Sequence, residues 1–138
     1  MKNKYLIDSN IFLHLYLEQD EESVCRTLLN KLGSGRVEAA VTLFHLDAAA
    51  IVMERDGLTQ KEIAEFYARV YQSKGIEIMH LGVVGRLNGL ADRNHSGIDD
   101  SLIEQALKDR DLDRIITYDT DFDEELRITP EEILQSGK

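Results

Sequence analysis

A chain of 138 residues with 43% hydrophobic and 30% charged side chains has the composition of one globular domain with a sizeable core, expected to span residues 1–138. Its formal net charge of −10 argues against a simple electrostatic nucleic-acid binder, which needs a basic surface, though not against an enzyme that reaches phosphates through bound cations. Nothing resembles a signal peptide, and the longest apolar run, Ala48 to Met53, is far too short to cross a bilayer, so no membrane association is expected. Cys25 is the only cysteine, which rules out an internal disulfide, fits a buried helix position and points to a reducing cytoplasm.

Strands and helices alternate along the chain. Lys4 to Ile7 reads as a strand, followed by helical pattern from Asn10 to Leu17. Ser23 to Leu32 is a second helix, stopped by Gly33-Ser34-Gly35, and Val37 to Thr42 is the second strand. Leu43 to Arg55 is helical. Thr59 with Glu62 three residues later is a capping-box pattern opening a helix that runs to Ser73. Ile76 to His80 is a strand, Val83 to Arg93 and Ile98 to Lys108 are helices, and Asp113 to Tyr118 is the fourth strand. A short extended piece at Arg127-Ile128 and a last helical turn from Pro130 close the chain. Strands separated by one or two helices imply a three-layer α/β/α sandwich around a mainly parallel sheet of four to five strands.

Within that pattern the acids fall unevenly. Asp8 closes the apolar run Tyr5-Leu6-Ile7, and Asp119 closes Ile115-Ile116-Thr117-Tyr118. Asp47 follows the second strand by one helical turn, and Asp99 and Asp100 open the helix whose apolar stripe is Leu102, Ile103, Ala106 and Leu107. Asp8, Asp47, Asp100 and Asp119 therefore stand at or just beyond the carboxyl edge of the inferred sheet, where open α/β sheets bind ligands. Carboxylates gathered there repel one another, and a divalent cation would relieve the repulsion. Oxygen-only ligands favour Mg²⁺ or Mn²⁺ over zinc, and His14, His45, His80 and His95 show no paired metal-ligand spacing. No Gly-rich phosphate loop and no CxxC motif is present.

The segments Leu6-Ile7-Asp8-Ser9-Asn10, Thr42-x4-Asp47, Asp100-Ser101-Leu102-Ile103 and Ile116-Thr117-Tyr118-Asp119-x-Asp121-Phe122, in this order, resemble a PIN domain. That family comprises metal-dependent nucleases and includes the VapC-type toxins of prokaryotic toxin–antitoxin pairs. The resemblance covers roughly residues 3 to 135. It implies that Asp8, Asp100 and Asp119 hold Mg²⁺ or Mn²⁺ and that Asp47 is the remaining catalytic acid. Asp100 is preferred to Asp99 because Ser-Leu-Ile follows it. Thr42 matches the small hydroxyl residue after the second strand, and Asn10 the polar residue two beyond the first acid. Asn10, Thr42, Thr117, Asp99 and Asp121 are the expected supporting residues. Asp47 departs from the pattern, which usually has glutamate there, and its shorter side chain weakens its reach to a metal.

The function implied is a metal-dependent ribonuclease, the toxin of a toxin–antitoxin pair, with RNA as substrate, an antitoxin protein as partner and a homodimer as its assembly. The helices from Ser23 to Leu32 and Thr59 to Ser73 carry apolar residues enough for more than one face, including Phe66, Tyr67 and Tyr71, which fits a dimer contact. The alternative is a PIN-like domain that has lost catalysis and serves as a binding or scaffold module. A phosphoacceptor receiver domain fails, because Asp8 is followed by Ser9-Asn10 and Tyr118 to Asp123 contains no lysine.

Overall fold

The structure, a computed structural model, describes residues 5–18, 24–91 and 98–136, with only the backbone at 85, 88, 89, 91 and 98–100. Strands β1 (Tyr5–Ile7), β2 (Ala39–Thr42), β3 (Ile76–Met79), β4 (Arg114–Ile116) and β5 (Arg127–Ile128) form one sheet in the order β3-β2-β1-β4-β5. Every pairing is parallel. The helices are α1 (Ser9–Glu18), α2 (Val24–Ser34), α3 (Leu43–Arg55), α4 (Gln60–Gln72), α5 (Val83–Ala91), α6 (Ile98–Arg110) and α7 (Pro130–Ser136). A short 3₁₀ turn, Glu124–Leu126, leads into β5.

The central strands are buried on both faces, as β1 and β2 show in Tyr5-Leu6-Ile7 and Ala39-Ala40-Val41-Thr42. Their side chains alternate between two cores, because successive residues of a strand point to opposite faces. Tyr5, Ile7, Ala39, Val41 and Ile116 pack with Ile11, Phe12, Leu28, Leu46, Met53, Phe66 and Ile133, on the face lined by α1, α2, α3, α4 and α7. Leu6, Ala40, Met79 and Ile115 pack with Ile103, Ala106 and Leu107 of α6 and with Phe122. The expected three layers are present, with five helices on one face and the α5–α6 pair on the other.

Local signals set the boundaries. Thr59 accepts from the Glu62 amide at 3.2 Å while Glu62 Oε1 accepts from the Thr59 amide at 2.9 Å, so the expected capping box opens α4. An equivalent exchange between Thr129 and Glu132 opens α7 ahead of Pro130. Helix α2 runs through Gly33 to Ser34 and ends where Gly35 takes a φ of 84°, beyond the expected end at Leu32. Gly75 cannot be replaced quietly. A Cβ there would collide with the carbonyl oxygen of Val37 and lie 2.7 Å from that of Leu32. Its own amide donates to Leu32 O at 2.7 Å and its carbonyl accepts from the Ala39 amide at 2.7 Å, which ties the end of α2 to the starts of β2 and β3.

Two expectations require correction. Strand β4 ends at Ile116, not Tyr118, because the chain from Thr117 onward turns into a side-chain network described below. The apolar face of α4 is spent inward: Phe66 is fully buried, edge-on to Phe12 and Tyr16 with ring centres 5.3 and 5.2 Å apart. Only Tyr71 of the three aromatic residues expected at a dimer contact stands fully in solvent. Among the described residues no helix is long and apolar enough to cross a membrane.

Candidate active site

The parallel register sets the site. Ile7 pairs with Ile116, and the Asp8 amide still donates to Ile116 O at 3.1 Å, so Asp8 stands level with Thr117 one step past the end of the strand pair. Leu6 pairs with Ala40, which puts Thr42 level with Asp8 on the other side. The carboxyl ends of β2, β1 and β4 thus present Thr42, Asp8 and Thr117 in one row, all three buried.

Thr117 is the hub of this row. Its hydroxyl donates to Asp8 Oδ2 at 2.7 Å and accepts from the Asp119 amide at 2.9 Å and from Asn10 Nδ2 at 3.3 Å. One donor and two acceptor positions are all that a hydroxyl offers, and all three are used. The hydrogen given to Asp8 cannot also be given to Asn10, so Asn10 must present its amide nitrogen to Thr117. Its Oδ1 is left buried, with no hydrogen-bond partner among the described residues.

Burial pushes the Asp8 carboxyl above the ordinary carboxylate range. The Thr117 hydroxyl and the backbone amides of Ser9 and Asn10 pull it back, while the negative charge of Asp119 adds to the rise. The Ser9 hydroxyl stands 3.4 Å from the other oxygen, Oδ1. Asp119 is partly buried, and its Oδ1 accepts from the Asp121 amide at 2.8 Å, a local turn that fixes the carboxylate's direction. Asp121 itself is exposed and contributes only that backbone donor. Thr42 caps α3 by accepting from the His45 amide at 3.0 Å, and its hydroxyl is also hydrogen-bonded to His45 Nδ1. The buried His45 is thus a packed residue paired with the helix cap.

Asp8, Asn10, Thr117 and Asp119 are therefore brought together by these hydrogen bonds, and Asp47 is not tied to them. Asp47 is exposed, on the side of α3 away from the buried His45, Leu46, Ala49 and Met53. Its Oδ1 accepts from the Tyr67 hydroxyl of α4 at 2.5 Å. Burial, with the bond to Asp47 second, pushes the Tyr67 phenol far above its usual range. No pattern in the sequence announces this pair, since its members are 20 residues apart on different helices. Asp99 and Asp100 open α6, but their side chains lie outside the described residues.

Tyr118, between Thr117 and Asp119, was not anticipated as a linking residue. Its hydroxyl donates to Glu131 Oε1 at 2.8 Å, and its ring lies 4.8 Å from that of His14. It thereby ties the site loop to α7 and α1 on the side opposite Thr117.

Among the described residues no group of three or more His, Cys, Asp or Glu side chains stands close enough to hold a metal ion. The oxygens that are present suit a hard cation: two adjacent carboxylates, Asp8 and Asp119, and the unsatisfied amide oxygen of Asn10.

No protein-family model matches this chain, and no curated protein matches its sequence. Among solved structures it is similar to Mycobacterium tuberculosis VapC20, a sarcin–ricin-loop-cleaving toxin, with a TM-score of 0.66 over 85% of this chain and 91% of that one. The two are 12% identical, so the likeness is one of fold. The chain has a PIN-like α/β fold.

Proposed function

We propose that this protein is a metal-dependent ribonuclease that hydrolyses RNA phosphodiester bonds as the toxin of a toxin–antitoxin pair in the cytoplasm. The observation that carries this reading is the Asp8–Thr117–Asp119 network at the carboxyl edge of a PIN-like sheet, with an unsatisfied Asn10 oxygen beside it. The similarity in fold to a sarcin–ricin-loop-cleaving toxin supports the choice of reaction.

Asp8 and Asp119, with Asp100 from the first turn of α6, would hold Mg²⁺ or Mn²⁺, and such an ion would activate water and offset charge on the phosphate. The chain's own contribution is orientation. Thr117 holds one Asp8 oxygen and the Asp119 backbone in fixed positions, so both carboxylates keep their direction without bound ligand. Asn10 Oδ1 is a ready acceptor for a water or a substrate hydroxyl. Asp47 would act as a weaker outer acid, its direction set by Tyr67. An antitoxin protein would cover the acidic edge.

The test is cleavage of single-stranded RNA by the purified protein with Mn²⁺ or Mg²⁺. Cleavage should stop with EDTA and with Asp8→Asn, and the metal should raise the thermal midpoint of the wild type by mass action. A protein that binds neither ion and cuts no RNA is a PIN-like scaffold. The exposed position of Asp47 and its bond to Tyr67 favour that second reading.

A further inference from the structure

The turn that fixes Asp119 is itself held from β5. Asp119 Oδ1 accepts from the Asp121 amide at 2.8 Å, and that N–H shares one peptide unit with the carbonyl of Thr120. A peptide unit is planar and trans, so its carbonyl and its N–H point in opposite directions. On the carbonyl side stands Arg127. Its Nη1 donates to Thr120 O at 3.0 Å and to Phe122 O at 2.7 Å. The Thr120–Asp121 peptide therefore lies between a guanidinium on one side and the Asp119 carboxylate on the other.

The fold puts Arg127 there. It pairs with Ile115 in the parallel register of β4 and β5, so its side chain leaves the sheet on the same face as that of Ile115. Phe122 is buried in the core of that face, which brings the carbonyls of its loop to the guanidinium. The two hydrogens of Nη1 match the two carbonyls. Five of the seven residues from Asp119 to Glu125 are acids, and their mutual repulsion favours an open loop. A charged donor opposes that opening, because it bonds carbonyls more strongly than a neutral one and sets a positive charge against the acidic turn. A phosphate contact is the weaker role for this side chain. The groove beside β5 sets Asp123, Glu124, Glu125 and Glu132 against Arg114 and Arg127, so it offers an RNA backbone no net attraction.

We propose that Arg127 is a positioning residue of the site: through the Thr120–Asp121 peptide it aims the Asp119 carboxylate and holds it beside Asp8. Thr117 fixes the start of the loop through the Asp119 amide, and Arg127 fixes the far side. The consequence for cation binding rests on the metal-dependent reading above, whereas the aim of the carboxylate does not.

Amide hydrogen exchange of the metal-free full chain, read by NMR, tests the aim itself. Arg127→Met keeps most of the aliphatic stem and removes both bonds. The Asp119 and Asp121 amides should then exchange roughly tenfold faster or more, while the Asp8 amide, bonded to Ile116 O, keeps its rate. In calorimetry Mn²⁺ should bind the variant roughly tenfold more weakly or worse, the size of effect usual for a residue that orients a metal ligand. Arg114→Met removes the same charge from the same groove and should change neither reading. Unchanged exchange at Asp121 in Arg127→Met overturns the proposal. So does faster exchange that includes the Asp8 amide, since Arg127 would then support the whole fold. Given a wild type that binds Mn²⁺, an affinity unchanged in Arg127→Met, or equally reduced in Arg114→Met, also overturns it. If Arg127→Met does not fold, Arg127→Gln, too short to hold both carbonyls, is judged by the same outcomes. A wild type that binds no Mn²⁺ removes the nuclease reading and leaves the exchange rates to decide this one.

Discussion

Thr117 and Asp8 are 109 residues apart in the chain, yet the Thr117 hydroxyl donates to Asp8 Oδ2 across 2.7 Å. This bond joins the end of β4 to the end of β1, and with the Asp119 amide on the same hydroxyl it holds two acids together whose charges oppose one another.

Replacing that hydroxyl by a methyl group should be felt at once. Thr117→Val leaves a buried Asp8 oxygen and the Asp119 amide without their partner, which costs about 1–3 kcal/mol. Thr117→Ser keeps the hydroxyl and should retain most of the stability. Urea denaturation of the two variants measures the difference, and equal losses would show that Thr117 acts through packing alone.

Asp8 should leave a signature in the pH dependence of stability. Its folded-state value is raised, so between the unfolded value and the raised one the folded chain binds more protons. In metal-free protein the Asp8 contribution is most favourable below the unfolded value near 3.8 and is lost as the pH rises through the folded value. Asp8→Asn removes this dependence. The variant should gain on the wild type as the pH rises from acid to neutral, measured by denaturation in EDTA. A stability difference that does not change with pH would mean that the ionised carboxylate is not under strain.

Asp47 offers a test of reach. Asp47→Glu lengthens the side chain by one methylene and frees it from the position in which Tyr67 holds it. The expected outcome is tighter Mn²⁺ binding by calorimetry and faster RNA cleavage. No change in either would place Asp47 outside the site and leave the Tyr67 bond as a helix-to-helix tie between α3 and α4.

Two of the aromatic residues of α4, Phe66 and Tyr71, should separate cleanly. Phe66→Ala empties a fully buried position and should cost roughly 3–5 kcal/mol. Tyr71→Ala, at a residue 80% exposed, should fall within about 0.5 kcal/mol. Thermal or urea unfolding of both variants gives the comparison. A large loss at Tyr71 would show that its face of α4 is covered in solution.

Alternation of short apolar runs with helical periods is a local property, and it was enough to define the parallel layered fold. The central β-runs had to be buried on both faces, and the connecting segments could only be crossover helices. The placement of Asp8 and Asp119 was legible for the same reason: a carboxylate that closes a buried run stands at the carboxyl edge wherever the strand lies in the sheet. The Thr59–Glu62 cap was equally local.

What the tertiary structure alone decided are the relations between elements. The central position of β1, between β2 and β4, puts Thr42, Asp8 and Thr117 in one row. The packing of α3 against α4 gives Asp47 a tyrosine partner and turns it away from the buried face of its helix. Apolar content could not tell α4 from α5, because both alternate apolar and polar residues at helical spacing. Phe66 meets Phe12 and Tyr16 in the core, whereas Val83, Val84 and Leu87 meet solvent. Burial is a property of which surfaces face one another, and that depends on the whole chain.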